Sequence, residues 1–430
     1  MPSLSILESP AQDKTSPAWW RRRQKEAWER FCALPMPDRF QEDWRFANLK
    51  ALDLNALTLA PHISPSQRER LIRHPIQDMP HASLAVFCND EELHGHLLPQ
   101  SLIQQGVIWT TMAEALKKKS DFLKKYFLSS RVSLGSDKFT LLHQAHCRSG
   151  VLLYIPKGVK VELPFIACHG LAGVNASIFP HTLIVAEEGS HITFVDYFSS
   201  DNDAVNFSCG MTEILLGEAA RVTYIARRNF GKQTINFHHC SSVVRKNASL
   251  TTLEVHSGGK FSRQENHCAL KEEGARSEML SIALTRDEQE LDQRTLQSHQ
   301  APRTRSDLLY KNVLDHRSKT VFQGMIRVEP FAAQTDAYQT NKNLLLSAEA
   351  EADSLPGLEI LNDDVRCSHG ATSGPVDEEQ LFYMRARGIP LQAATQLLAL
   401  GFCEEVLNLL CFETLKPYFL RDLAVQLAIQ

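Results

Sequence analysis

The sequence predicts a mainly β chain in which a β-solenoid core lies between two helical regions. Three observations support this fold class: helical periodicity up to about residue 130, short strand patterns over residues 139–360, and helical patterns after Pro375. We therefore expect a mostly helical N-terminal domain over residues 1–130, a solenoid core over 131–362 and a helical C-terminal domain over 363–430.

Two apolar stripes at helical spacing mark the N-terminal region. The first stripe consists of Trp20, Ala27, Trp28 and Phe31, and the second of Met112, Leu116, Leu123 and Phe127. Each stripe places its members on one face of a helix, so both are expected to be buried.

The middle region is rich in Val, Ile, Thr, Tyr and Phe, in segments such as "SHITFVDYF" and "ARVTYIARR". Its turn residues recur at steps of 27–31 residues, at Gly158, Gly189, Gly217, Asn247 and Gly274. So regular a spacing without sequence identity is typical of stacked coils in a solenoid. A β-sandwich is the alternative, but its turns usually recur about every 8–12 residues.

Helix signals return after the core. Asp377 is expected to cap a helix start, with Gln380 at the capping-box position. Gly388 and Pro390 would end that helix, and the next helix is expected to stop at Gly401.

Composition excludes several classes of protein. The 430 residues carry a net charge of −4, which gives no electrostatic reason to expect nucleic acid or an anionic membrane as partner. No apolar run of the length of a membrane span and no export signal is present, and none of the ten cysteines forms a CxxC pair. We expect a cytoplasmic protein with mostly buried thiols.

Tests for catalytic motifs are negative. In "SGGKFS", Phe261 follows Lys260 where a phosphate-binding loop needs Ser or Thr, and Thr372 occupies the nucleophile position of "GATSG". The doublet Asp363–Asp364 would point to opposite faces of a strand, so it cannot act as an acid–base pair. The sequence therefore predicts that the chain is not an enzyme.

Three clusters combine cysteine and histidine: Cys168–His169, His238–His239–Cys240 and Cys367–Ser368–His369. Residues i and i+2 share one face of a strand, so His238 with Cys240, and Cys367 with His369, could each offer two ligands. The role of the first pair stays open between metal binding and core packing. The second pair is favoured because it lies where strand patterns give way to loop and helix, a place where side chains can face a partner.

Several motifs resemble the SufB/SufD family of iron–sulfur cluster assembly proteins. The most specific are "DDVRCSHGAT" (residues 363–372) and "DEEQLFYMRARGI" (377–389), preceded by "QTNKNLLLS" (339–347) and "DWRFANLKAL" (43–52). The SufB branch carries Glu directly after the signature His, where this chain has Gly370, and a Cys in the preceding strand, where "LEILNDD" has none. The chain thus resembles the SufD branch.

The resemblance implies a right-handed parallel β-helix flanked by helical domains. It also implies a non-catalytic scaffold subunit of the SufBCD complex, which pairs with SufB through the β-helix and builds a nascent iron–sulfur cluster at that interface. His369, and more weakly Cys367, would be this chain's ligands to the cluster. The ATPase SufC would bind near Tyr383, Arg385, Gly388 and Ile389, so that ATP enters only through SufC and the chain binds no cofactor alone.

One alternative stays open, a metal-binding cluster carrier that works independently as a homodimer. An independent carrier should bring three or four Cys or His side chains together within one chain, whereas the sequence offers pairs.

Overall fold

A computed structural model describes residues 5–10, 15–47, 49–61, 79–95, 97–130, 132–201, 203–410 and 414–428. Its helices are α1 Ala18–Ala33, α2 Gln100–Gln104, α3 Met112–Lys118, α4 Ser120–Tyr126, α5 Asp137–His146, α6 Glu378–Arg385, α7 Leu391–Leu407 and α8 Lys416–Gln426, with short 3-10 turns at Glu42–Trp44 and Leu49–Ala51.

The strands are β1 Thr58–Leu59, β2 Ser83–Cys88, β3 Glu91–Gly95, β4 Ile108–Thr111, β5 Gly150–Ile155, β6 Phe165–Leu171, β7 Ala176–Ile178, β8 His181–Ala186, β9 His191–Ser200, β10 Asn206–Leu216, β11 Arg221–Phe230, β12 Thr234–Val244, β13 Ser249–Gly258, β14 Phe261–Leu270, β15 Arg276–Thr285, β16 Glu290–His299, β17 Arg305–Leu314, β18 Lys319–Val328, β19 Thr335–Leu345, β20 Glu351–Ile360 and β21 Val365–Pro375.

The predicted parallel β-helix is confirmed. Strands alternate between two sheets, ordered β20-β18-β16-β14-β12-β10-β8-β5-β4 and β21-β19-β17-β15-β13-β11-β9-β6-β2-β3. From β8 to β21 each strand pairs in parallel with the strand two positions later in the chain, which gives about eight turns. Both sheets therefore grow one coil at a time, and each coil satisfies the backbone of the coil before it.

A stack of turns along one corner explains the regular spacing in the sequence. Gly158 donates its N–H to the Glu188 carbonyl (2.8 Å), and the equivalent residue of the next coil, Gly189, donates to Glu218 (2.8 Å). Both glycines have a positive φ, which favours glycine. One turn differs from expectation: the left-handed residue is Ala219 and not Gly217.

The N-terminal region folds against the outer face of the first sheet. Both predicted apolar stripes are confirmed as packed faces, with only Trp28 partly buried. This region is not only helical, however, because β2 extends the second sheet beside β6. All six residues of β2 are buried, and periodicity alone cannot distinguish a short buried strand from a buried helical segment.

The "DWRF" segment anchors this region to the β-helix. The Trp44 ring lies 4.0 Å from the buried Arg263 guanidinium, and its indole N–H donates to the Gly135 carbonyl (2.8 Å). Arg263 itself donates to Glu265 (2.9 Å) and Asp292 (2.6 Å). A delocalised cation thus holds two buried carboxylates and an aromatic ring at once. Asn48 of the same motif lies outside the described residues.

The C-terminal helices α7 and α8 cover the outer face of the second sheet. Asp377 caps α6 as predicted, accepting from the amides of Glu379 and Gln380. The expected helix stop at Gly401 is wrong, because α7 continues through it and buries Cys403 and Leu407 against the sheet. That burial offsets the roughly 1 kcal/mol that a glycine costs inside a helix.

The division into three domains stays a prediction, although the last strand, Val365–Pro375, extends the β-helix beyond residue 362. None of the helices in the described ranges is both long enough and apolar enough to cross a membrane.

Replacing the buried cation tests the anchor. Arg263→Ala removes the buried cation that Glu265 and Asp292 share, although a second buried arginine still pairs with Asp292, so we expect it to lower the free energy of unfolding by about 3 kcal/mol. Arg245→Ala, which removes a solvent-exposed ion pair to Glu272, should cost less than about 1 kcal/mol. Urea denaturation of both variants measures the difference, and equal midpoints would argue against the anchor.

Candidate functional site

The last coil leaves the β-helix open at its C-terminal end. We call β20 and β21 together the open end. Within the described residues, β20 is paired only with β18 and β21 only with β19. Each strand, ten and eleven residues long, therefore presents one row of unpaired N–H and C=O groups.

His369 belongs to a column of interior residues. It is in register with Gln339, which is in register with Leu308, and this column continues down the sheet to Tyr224. Gln339, Leu308 and Tyr224 are buried, whereas His369 is exposed because no further coil covers it. The imidazole thus faces the axis of the β-helix at the point where the column stops.

Cys367 lies on the same face of β21, two residues before His369. It is in register with the buried Ala337 and packs against the small apolar cluster that contains Ile326 and Val328. The sequence predicts that this pair lies at a strand-to-loop transition and faces outward. The structure places both residues within a strand, facing the interior, and they are accessible end-on.

Burial controls the chemistry of Cys367. Desolvation, followed by the negative charge of Asp336, raises the pKa of this thiol, although an N–H from Ala337 opposes the shift. The thiol is therefore protonated at neutral pH, and an incoming metal ion must displace the proton. Such a thiol can bind a metal ion once its proton is displaced, but it reacts slowly with other electrophiles.

The layer beneath the open end is polar. The Gln339 amide donates to the carbonyls of Gly324 (3.3 Å) and Gly357 (3.2 Å). Asn343 donates to the hydroxyls of Ser354 (3.2 Å) and Ser373 (3.0 Å), linking β19 to both strands of the open end. These bonds fix the last coil without help from a partner, so the open end is a formed surface.

The residues of the other two predicted clusters are all buried. Cys168 and His169 point to opposite faces of β6, and His169 lies 3.1 Å from the buried Asp196 carboxylate inside the β-helix. His238 and Cys240 both face the interior, where His238 shares a hydrogen bond with the Thr212 hydroxyl (3.1 Å).

The interior pair is electrically neutral. Burial lowers the pKa of His238 well below its usual value, an effect that the nearby Arg228 reinforces, and burial raises the pKa of Cys240 to about 12. An uncharged imidazole and thiol beside a hydroxyl fit core packing, which was one of the two roles left open.

One group of three potential ligands forms elsewhere among the described residues. His143, Cys147 and His181 come together at the end of α5, and Cys147 is one of the buried thiols that the sequence predicts. The i, i+4 spacing of His143 and Cys147 could have indicated that these two side chains share one helix face. His181 joins them only through the folding of the first coils, which the sequence does not show.

The predicted partner-binding residues lie on or just after α6. None of the eight residues of α6 is buried, and Phe382 and Tyr383 are 74% and 58% exposed. The Arg387 guanidinium stacks on the Tyr383 ring at 3.4 Å. Arg385 is exposed, and Gly388, with a φ of +84°, turns the chain toward Ile389 and α7. Exposed aromatics on a capped helix are typical of a protein-binding surface.

Comparison with known proteins covers nearly the whole chain. The family profile "SUF system FeS cluster assembly, SufBD core domain" matches residues 169–402, and the profile "SufBD protein N-terminal region" matches residues 9–166. The chain belongs to the SufB/SufD family. The signature His369 and the anchor Trp44 both lie within the matched ranges of this family.

Relatives from both branches of the family are similar to this chain. The iron–sulfur cluster assembly protein SufD of Bacillus subtilis is 30% identical over 95% of this chain and 94% of its own length. SufB of the same organism is 26% identical over 93% of this chain and 87% of its own length. A SufBD family protein of Staphylococcus saprophyticus is 26% identical over 93% of this chain and 88% of its own length.

Alkylation measures the accessibility and pKa of Cys367. The thiolate is the reactive form, so a raised pKa makes alkylation at pH 8 slower in the folded chain than in urea, and the two rates should converge at higher pH. Peptide-level mass spectrometry with iodoacetamide follows each cysteine. Cys403, buried and with its pKa raised to about 12, serves as the unreactive control. Equal rates at pH 8 in the folded and unfolded chains would contradict the inward placement.

Proposed function

We propose that this chain is a non-catalytic scaffold subunit of a SufBCD-type complex, in which an iron–sulfur cluster is assembled where the open end meets a SufB-type subunit. The observation that carries the proposal is the Cys367–His369 pair at the last coil of the β-helix, where His369 is exposed and Cys367 is half-buried. The cluster is the cargo of this site and leaves it for a recipient protein.

Ligand number supports a shared site. Iron–sulfur clusters usually take about four protein ligands, commonly thiolates and in some cases imidazoles. Cys367 and His369 offer two, and within the described residues no third Cys, His, Asp or Glu joins them in a metal-sized group. A partner must supply the rest, and a site split between two chains releases its cluster when the chains separate.

The unpaired backbone groups of β20 and β21 support the open end as the surface that meets the SufB-type subunit. The two unpaired strand edges can extend their sheets into those of a second β-helix, so that main-chain hydrogen bonds give affinity. Inward side chains of both partners would then line the junction, which is where Cys367 and His369 lie.

Gly370 supports the SufD-type role. A side chain at this position would meet no atom within 4 Å, so the absence of a carboxylate after His369 is not imposed by packing. With glycine there, the chain supplies fewer ligands than a SufB-type subunit, in keeping with a supporting role.

The α6 surface is proposed as the contact for the SufC ATPase, through Tyr383, Arg385, Gly388 and Ile389. ATP would then act only through SufC, and the chain would bind no cofactor of its own. We place the complex in the cytoplasm. Movement of SufC would reach the open end directly, since one residue separates β21 from the Asp377 cap of α6.

A homodimeric cluster carrier is the second candidate function. Two copies that pair through their open ends would bring two Cys367 and two His369 side chains together, giving four ligands. This candidate predicts stoichiometric iron on the chain purified alone.

His369→Ala tests the cluster site. We expect the variant to co-purify anaerobically with SufB and SufC as well as the unchanged chain does, but to lose most of the iron and sulfide, because an imidazole ligand is missing. Thr372→Ala, an exposed change on the same strand, is the matched control. Unchanged iron in the assembled His369→Ala complex would overturn the shared-site proposal, and iron on the chain alone would favour the homodimer.

Tyr383→Ala tests the ATPase contact. Removing an exposed aromatic from a binding surface should weaken SufC binding about tenfold or more, while the melting temperature of the isolated chain stays unchanged. Phe331→Ala, which removes another exposed aromatic far along the chain, is the control. Calorimetry with purified SufC gives both affinities, and equal affinities would exclude α6 as the contact.

A further inference from the structure

A buried cluster of two imidazoles and one thiol lies under the N-terminal helices. His143 is on α5, Cys147 follows its last residue, and His181 begins β8. One ligand atom from each lies within 4.8 Å of the other two, and all three side chains are buried. The cluster is separate from the open end and plays no part in the function proposed above.

The spacing follows from local structure. Residues four apart share one face of a helix, so His143 and Cys147 point together at the end of α5. His181, at the start of β8, reaches this end of α5 through the contact between its ring and that of His143. Two ligands at i, i+4 with a third from a neighbouring strand are a common way to surround a metal ion.

The distances suit a tetrahedral ion. Bonds of about 2.0–2.1 Å to nitrogen and 2.3 Å to sulfur place neighbouring ligand atoms about 3.3–3.6 Å apart. His143 Nε2 and His181 Nδ1 are 3.1 Å apart, close to that value. The Cys147 sulfur lies within 4.8 Å of one ring nitrogen of each histidine, so an ion would draw it inward toward the two rings.

The outer nitrogens of both rings already contact acceptors. His143 Nδ1 lies 2.8 Å from the Cys209 carbonyl, and His181 Nε2 lies 3.3 Å from the Glu213 carboxylate. Glu213 is itself held by the amide of Leu128 (2.6 Å) and the hydroxyl of Ser130 (3.2 Å). Metal-binding histidines almost always donate their second N–H to such a carboxylate or carbonyl.

Proton positions favour an ion between the rings. A carbonyl only accepts, so His143 Nδ1 carries the hydrogen and His143 Nε2 presents a lone pair to His181 Nδ1. In a neutral His181 without a metal, Nδ1 must then donate, which leaves the bare Nε2 facing the Glu213 carboxylate. A cation bound to His181 Nδ1 removes this conflict, because Nε2 then carries the hydrogen toward Glu213.

The charges of the groups around the cluster also favour a bound divalent cation. A divalent ion, the Cys147 thiolate and the Glu213 carboxylate sum to zero charge, which lowers the cost of burying them together. The proton leaves the thiol as the metal binds.

We propose that His143, Cys147 and His181 bind a borderline divalent cation, Zn²⁺, which fastens helix α5 to the first coils of the β-helix. One thiolate and two imidazoles form a ligand set that zinc accepts. Because all three ligands are buried, the ion enters as the N-terminal region docks and has a structural role. The competing state is a metal-free network in which an extra proton sits between His181 and Glu213.

Metal content tests the proposal directly. The full chain, refolded from denaturant with zinc and passed through a desalting column with a weak chelator, should retain one zinc ion per chain. Cys147→Ala should lose it, and Cys268→Ala, which removes another buried thiol, should retain it. His369→Ala should also retain it, which separates this site from the proposed cluster site. No retained zinc in the unchanged chain, or equal zinc in Cys147→Ala, would overturn the proposal.

Cobalt gives a second readout if Cys147→Ala fails to fold. The unchanged chain refolded with Co²⁺ should show a thiolate-to-cobalt charge-transfer band and the visible bands of tetrahedral cobalt, and zinc should displace both. Refolding in a strong chelator should lower the melting temperature, and zinc should restore it. Absence of the charge-transfer band together with an unchanged melting temperature would establish the metal-free proton-shared network instead.

Discussion

Backbone pairing between successive coils is the constraint on which the rest of this structure depends. Each coil pairs with the N–H and C=O groups of the coil before it, so the two ends of the stack are the places where backbone groups lack a neighbouring coil. At the N-terminal end the sheets finish with the short antiparallel strands β3 and β4, of five and four residues. Short edge strands are a common protection against unwanted pairing. At the C-terminal end β20 and β21 are about twice that length, and within the described residues each has one unpaired edge.

The outer faces are covered by the chain itself, through buried cations. Arg263 fixes the N-terminal region on the first sheet through Trp44. On the second sheet, Lys311 donates to the Phe402 carbonyl (2.8 Å) and pairs with Glu405, while Arg227 pairs with Asp422 (2.6 Å). In each case a cation on the sheet contacts a carbonyl, ring or carboxylate on the covering segment. Such a directional contact fixes the position of the covering segment more precisely than apolar contact alone. The open end and α6 are left accessible.

The repeat could be predicted from sequence because a turn that needs a left-handed residue favours Gly or Asn once per coil, as at Gly158 and Asn247. The family motifs predicted candidate site residues, but not how those residues are placed. Whether His369 faces inward depends on the register with Gln339, which no local pattern encodes. The meeting of Cys147 with His181 depends on how the first coil turns beneath α5. Contacts of this kind appear only once the coils are assembled.

Hydrogen–deuterium exchange at the open end tests the central claim most directly. In the isolated chain the amides on the unpaired edges of residues 351–360 and 365–375 should exchange rapidly, while those of β16 and β17 are protected. Addition of a SufB-type subunit should slow exchange at the open end and leave the N-terminal strands β3 and β4 unchanged. Formation of a stable complex with no added protection at residues 351–375 would contradict the account.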